Sequence, residues 1–391
     1  MSGLRRMVVV GGSQAGCATA AALRRLGFDG EITVIGDELH RPYARPPLSK
    51  GVLSGAEPDD SVFLSTADDF NLVSGITAVG LDMERKRVEL SDSDSIRYDG
   101  LVIATGARAR RLSQHADEIT LRTFDDAIAL RERFQDARDV AVAGGGFLGL
   151  EIASTAASLG KTVTVVDQIT PLAGRLGPRL SDMVLTAAAE KGVKIRVSTG
   201  GVELGPTDRG VDRVQSADGS VLAEADVVVT AVGDVPNTEW LRGSGIALSG
   251  GVVVDSDCRV APGIVAAGDV TSTSSGGGRH TRSPHWWNAS AQATIAAATL
   301  LGREPEARLG AAAPFFWTEV FGLRIRLAGQ LPPCGEPMVI DGSFEDRRVL
   351  LAWPPADGNV GFGTAAAVNF PISAPKLTRL ARNPDARRDA Q

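Results

Sequence analysis

Two stretches of the chain repeat one pattern of apolar and polar positions. In each, a short β-branched run breaks into glycines, continues as small apolar residues at helical spacing, and returns to a second β-branched run that ends on an aspartate. The first copy runs from Met7 to Asp37 and the second from Val140 to Asp167. Gly11, Gly16 and Gly27 align with Gly144, Gly149 and Gly160 at a single offset of 133, which falls to 130 at Asp37 and Asp167 because the first copy carries three extra residues near Asp29. That period is too long for a solenoid. It predicts a duplicated strand, turn, helix and strand, hence an α/β chain.

A β-branched run feeding a turn of small residues lets backbone N–H groups approach a pyrophosphate, whose charge then sits on the helix N-terminus. The closing acid is placed to bind a ribose hydroxyl pair. The second copy is complete as Gly144, Gly146 and Gly149, with Phe147 and Leu148 between the last two. In the first, Ser13 stands at the middle glycine, followed by Gln14 and Ala15. The added Cβ and hydroxyl lie near the pyrophosphate path, so this turn is either an ordinary nucleotide turn, the preferred reading, or a degenerate empty one. Leu101 to Arg108 reads as a buried strand ending in a turn at Ala104, Thr105 and Gly106. Gly263 to Thr271 reads as another, with Asp269 at its carboxyl end, the edge where ligands lie in open α/β sheets. Asp269 is then a turn former or an acceptor of ligand hydroxyls. Asn288 is expected to cap an alanine-rich helix that runs to Leu301 and stops at Gly302. Thr271 to Gly278 reads as a Ser/Thr/Gly loop and Arg379 to Gln391 as a charged tail.

Composition narrows the function classes. A chain of 391 residues implies two to three domains, and 43% hydrophobic content supplies more than one core. A net charge of −6 provides no global field toward nucleic acid or an anionic membrane. Cys17, Cys258 and Cys334 are far apart, which argues against a disulfide scaffold, a CxxC redox centre or a cysteine zinc cluster, and no metal is expected. The apolar run Met7 to Val10 breaks at once into Gly11, and no 18-residue apolar stretch occurs. A cytoplasmic protein is the expectation.

With these stations in place, the chain resembles the FAD-containing, NADH-dependent ferredoxin reductases of bacterial oxygenase systems, among them the putidaredoxin, biphenyl-dioxygenase and rubredoxin reductases. The segments that carry the resemblance are Pro42 to Lys50, Gly144 to Glu151, Val232 to Leu241, Ala266 to Val270 and Pro314 to Gly322. It implies two Rossmann-like dinucleotide-binding domains of the two-nucleotide flavoprotein disulfide-reductase type and a small C-terminal α/β domain. Residues 1–112 and 234–308 would form the FAD domain, 113–233 the inserted NADH domain, and 309–391 the domain that covers the flavin. In the last, strand-like runs at Arg324 to Leu327 and Val349 to Trp353 precede a helix candidate from Ala374 to Ala381.

Carried over by position, FAD would fall to Gly11, Ser13, Gln14, Ala15, Gly16, Asp37, Ala104, Thr105, Gly106, Asp269 and Trp286. Arg45 would contact its pyrophosphate, and Lys50 would lie beside the flavin ring in a pair with Glu151. Otherwise Lys50 is a solvated loop lysine and Glu151 merely complements the helix dipole. Trp317 matches a family tryptophan near the isoalloxazine, or is a core aromatic. NADH would fall to Gly144, Gly146, Phe147, Leu148, Gly149, Asp167, Arg175 and Gly233. The chain departs from the family pattern at Pro284, where a glutamate is usual, at His285, and at Glu319 and Val320.

The implied activity passes electrons from NADH through FAD to a [2Fe-2S] ferredoxin that feeds a monooxygenase or dioxygenase, with a rubredoxin as the second choice of partner and the enzyme a monomer or homodimer. The rival readings are an NADH oxidase or quinone reductase, and a non-catalytic protein that senses FAD and NADH. Ferredoxins of this kind are usually acidic, so Arg279, Arg282, Arg303, Arg324 and Arg326 are candidates for a local basic docking surface.

Overall fold

The computed structural model describes residues 4–65, 70–113, 117–207, 210–274, 278–310, 313–355 and 362–383. The chain divides into two compact units. The first comprises Met1–Ala44, Val62–Arg108 and Val235–Ala312; the second comprises Arg45–Ser61, Ala109–Asp234 and Ala313–Gln391.

In the first unit the strand Arg6–Val10 lies between Glu31–Gly36 and Gly100–Ile103, parallel to both, with Val8 opposite Thr33 and Leu101. Asn71–Ser74 extends one side in parallel. Ile264–Ala266 extends the other, with Arg259–Ala261 as its antiparallel edge. The β-branched run at Met7 to Val10 is continuous because both faces of the strand are covered. Met7 and Val9 enter a core with the helices Gln14–Arg25 and Trp286–Leu300, whereas Val8 and Val10 face a second core containing Val88 and Tyr98.

Two local expectations are corrected here. The alanine-rich helix begins at Trp286, with His285 rather than Asn288 at its N-cap. Asn288 stands inside the first turn and donates its Nδ2 back to the Ser283 carbonyl at 2.9 Å, so its amide serves the incoming chain. Gly302 does follow the helix in the left-handed region, at φ 67°. The expected Ser/Thr/Gly loop contains a strand, Thr271–Ser274, paired with Val252–Val254 and His280–Thr281; residues 275–277 lie outside the described ones.

In the second unit Asp139–Ala143 is flanked in parallel by Thr162–Asp167 and Val227–Thr230, and the sheet is completed by Lys194–Val197 and Ile119–Thr120. The helix Phe147–Ser158 follows its first strand. The repeat is therefore structural: both copies form the central strand, the turn, the helix and the neighbouring strand of a parallel sheet. After Ala313 comes a five-stranded antiparallel sheet, Phe315–Val320, Leu323–Gly329, Thr364–Val368, Arg348–Trp353 and Met338–Ser343 in spatial order. The helix Ala374–Arg382 buries Leu377, Leu380 and Ala381 against it, a spacing that places all three on one stripe. This places the expected C-terminal strands and helix, while the end of the charged tail, 384–391, lies outside the described residues.

Candidate functional site

The first glycine turn is shaped by backbone approach. Gly11 has φ 120°, and a Cβ there would stand 2.1 Å from the Ala104 carbonyl oxygen; one on Gly16 would stand 1.9 Å from that of Gly11. Only glycine permits either contact. Ser13 is the N-cap of the helix Gln14–Arg25, yet its side chain makes no capping bond, so the first-turn N–H groups of that helix are left to another acceptor. Gln14 gives its Nε2 to Ser290 Oγ at 2.9 Å, while its Oε1 is buried without a partner. Such an orphaned acceptor at an uncapped helix start fits a ligand that donates a hydrogen bond.

The turn after Ile264–Ala266 comes to the same place. Gly268, at φ 87°, would put a Cβ 2.7 Å from that of Ala15, and its N–H donates to the buried Gln292 Oε1 at 2.6 Å. The strand ends earlier than expected, at Ala266, so the half-buried Asp269 lies three residues beyond it in the turn, and its carbonyl accepts from Arg282. Trp286 opens the Gln292 helix and is 39% exposed. Thr105 and Gly106 are locked to Asn237, which accepts from Thr105 Oγ1 at 2.7 Å through its carbonyl and donates from Nδ2 to the Thr105 carbonyl at 2.9 Å. Asp37 follows Glu31–Gly36 and is exposed.

The second turn repeats the construction. A Cβ on Gly144 would meet the Ala231 carbonyl oxygen at 2.4 Å, and one on Gly149 that of Gly144 at 1.9 Å. Gly146 is the uncapped N-cap of the helix Phe147–Ser158, and a Cβ there would meet nothing within 4 Å. The middle glycine is thus not required by the protein's own packing, which explains why Ser13 is tolerated at the matching position. Asp167 closes the second strand with Oδ2 accepting from the Gly145 N–H and Oδ1 from the Gln168 N–H, each at 2.6 Å. Arg175 is exposed on the short helix Ala173–Leu176, and Gly233, at φ 104°, accepts from the Arg110 N–H.

Within the second unit, Lys50 Nζ lies 2.7 Å from Glu151 Oε2, and Glu151 is 8% exposed. Ser49 Oγ donates to the same oxygen at 2.5 Å, and Thr318 Oγ1 donates to Oε1 at 2.7 Å. The sequence paired Lys50 with Glu151 but missed Ser49, Thr318, Gln292 and Asn237. Ser49 adjoins Lys50 and Gln292 is a lone amide in an alanine-rich helix; Thr318, 167 positions from Glu151, carries no comparable signal. Trp317 and Phe315 share the face of their strand opposite Phe316 and Thr318, with ring centroids 6.3 Å apart. Arg45 donates to the Arg122 carbonyl at 2.6 Å.

All three cysteines are free thiols. Burial pushes Cys17 up to about 12 and raises Cys258 as well, so neither is a thiolate at neutral pH. Among the described residues no cluster of His, Cys, Asp and Glu could hold a metal ion, and no helix is long and apolar enough to cross a membrane.

Two glycine cradles that share one design are what a chain taking two dinucleotides needs, and residues 5–293 match the pyridine nucleotide-disulphide oxidoreductase family. The chain belongs to that family. Members similar to it include the 3-phenylpropionate/cinnamic acid dioxygenase ferredoxin--NAD(+) reductase component of Photorhabdus laumondii, 35% identical over 96% of both chains. Rhodocoxin reductase of Rhodococcus erythropolis is 36% identical over 87% of this chain and 81% of its own. Among solved structures, putidaredoxin reductase in covalent complex with putidaredoxin superposes with a TM-score of 0.85 at 28% identity, over 97% of this chain and 93% of that one.

Proposed function

We propose that the protein is the reductase of an oxygenase system, a cytoplasmic enzyme passing electrons from NADH through FAD to a [2Fe-2S] ferredoxin. The observation that carries this reading is the end-to-end likeness to a ferredoxin--NAD(+) reductase component, with both dinucleotide cradles intact. Bound FAD supplies the conversion of a two-electron hydride into single electrons, which no side chain offers. The chain binds and orients. We assign the first turn with Ser13, Gln14 and Ala15 to the FAD pyrophosphate, Asp37 to its ribose, and Asp269 and Trp286 to the flavin half, with 1–112 and 234–308 as the FAD domain. The uncapped helix start, with its free N–H donors, supports the pyrophosphate assignment, and the orphaned Gln14 Oε1 suits a hydroxyl of the same cofactor. The second turn, in 113–233, takes NADH, and 309–391 forms the third domain. With no cysteine pair, electrons leave through a one-electron partner rather than a thiol. Rapid bleaching of the yellow protein by NADH, followed by cytochrome c reduction only when a ferredoxin is added, tests the reading. Equal turnover with quinone or oxygen alone would overturn it.

Nucleotide choice follows from Asp167. Its carboxylate is already anchored by the backbone N–H groups of Gly145, Gln168 and Ile169, so a 2′-phosphate would meet a fixed negative charge. NADH is preferred over NADPH by at least about tenfold in kcat/KM, equivalent to ~1.4 kcal/mol. Comparable values for the two nucleotides would refute the assignment, with Arg175 the residue positioned to rescue NADPH.

The candidate docking arginines sort into two groups. Arg282 and Arg326 give their guanidinium groups to backbone carbonyls, Arg282 to Asp269 and Arg326 to Ile372 and Phe370. Arg279, Arg303 and Arg324 are exposed, and Arg324 pairs with the exposed Glu319. Charge reversal of Arg303 and Arg324 is expected to raise the ferredoxin KM and flatten its salt dependence, with ferricyanide reduction unchanged because a small acceptor needs no docking surface. An equal loss with both acceptors would place the damage at the flavin instead.

A further inference from the structure

One face of the helix Phe147–Ser158 meets the C-terminal sheet at three points. The Phe147 and Phe316 rings lie 4.3 Å apart between centroids, Thr318 Oγ1 donates to Glu151 Oε1, and the Phe321 N–H donates to Ser154 Oγ at 2.8 Å. Positions 147, 151 and 154 form one helical stripe, and 316 and 318 share one strand face. The hairpin tip that ends this strand holds Phe321 and Gly322 at φ 51° and 80°, and Phe321 is buried. A non-glycine residue persists in that region only where its surroundings fix it, as the Ser154 contact does here. The helix that starts at the second glycine turn is therefore gripped along its length by the C-terminal sheet.

The middle grip falls on the carboxylate that holds Lys50. Ser49 and Lys50 both bind Oε2, which leaves rotation of the carboxylate governed by what holds Oε1. We propose that Thr318 is a positioning residue, whose hydroxyl fixes the Glu151 carboxylate and through it aims Lys50 Nζ. This rests on the assignment of Lys50 to the flavin. Through Thr318 the C-terminal sheet sets the direction of that cation.

The test compares Thr318→Val, Thr318→Ala, Thr318→Ser, Glu151→Gln, Lys50→Met and the Thr318→Val/Glu151→Gln double variant, all as FAD-loaded full chain. Flavin reduction by NADH is followed in stopped flow, and the midpoint potential of the bound flavin by dye equilibration. Loss of the hydroxyl should slow reduction about tenfold, the worth of one hydrogen bond to a charged group, and make the potential more negative. Thr318→Ser should restore both. The double variant should match Glu151→Gln alone, because an amide no longer needs that donor to be held as an anion. If Lys50→Met and Glu151→Gln are slow while Thr318→Val and Thr318→Ala keep wild-type rate and potential, Thr318 is packing alone and the proposal fails. Additive losses in the double variant sink it too. If Lys50→Met is itself unimpaired, the flavin assignment of Lys50 falls first and the proposal falls with it.

Discussion

Lys50→Met is expected to slow NADH-driven reduction of the flavin about a hundredfold while the purified protein stays yellow. Three observations set that expectation. Lys50 Nζ is held 2.7 Å from Glu151 Oε2 and 3.1 Å from the Pro46 carbonyl, so its charge is fixed in place rather than swinging in solvent. The side chain is 23% exposed, which leaves the ammonium only partly hydrated and its field poorly screened. The glycine cradle assigned to the FAD pyrophosphate is built from other residues, so flavin binding does not depend on the lysine. Methionine keeps the length of the stem and removes the charge. The abandoned carboxylate still has Ser49 and Thr318 as donors, which limits the loss of stability to about 1–3 kcal/mol. Glu151→Gln should slow the same step by about tenfold, since an amide oxygen still accepts from the ammonium without neutralising it. Stopped-flow reduction per bound flavin measures both. Wild-type rates in the two variants would return Lys50 and Glu151 to a purely structural role.

Much of this fold was legible because its duplicated unit is local. Each strand, turn, helix and strand is contiguous, and the fully apolar strands follow from having helices and sheets on both faces. What the sequence misplaced was decided by partners elsewhere. Asn288 has the chemistry of an N-cap, but the helix starts two tryptophans earlier and the amide turns back to Ser283. Thr271 to Ser274 looks like a loop by composition, yet Val252–Val254 supplies a parallel partner that draws it into a strand.

The candidate site divides along the same line. Lys50 and Glu151 came from the family resemblance, which the segments Pro42 to Lys50 and Gly144 to Glu151 carry. Their supporting donors did not, because Thr318 reaches Glu151 only once the C-terminal sheet has formed on the helix Phe147–Ser158. Ser13 shows the reverse case. It departs from the glycine pattern of the first turn, and the open space around Gly146 shows that the protein's own packing does not require a glycine at the middle position of the second.

The assignment of one dinucleotide to each turn is expected to separate in a pair of alanine variants. Gly16 and Gly149 are equivalent: a Cβ on either would sit 1.9 Å from the carbonyl oxygen of the glycine that opens its turn. Backbone cannot yield as a flexible side chain does, so the turn must open and its helix must back away from the strand, at a cost of several kcal/mol, above the ~1–3 kcal/mol of ordinary overpacking. Gly16→Ala, in the first unit, should purify nearly colourless, with flavin lost on desalting. Gly149→Ala, in the second, should stay yellow and accept electrons from dithionite, which needs no binding site. Its affinity for NADH should fall by more than about a hundredfold, the equivalent of ~2.7 kcal/mol. Flavin-to-protein absorbance ratios and NADH titrations of the two variants decide the matter. A yellow Gly16→Ala beside a colourless Gly149→Ala would exchange the two assignments, and loss of flavin from both would mean that the turns are not independent binding devices.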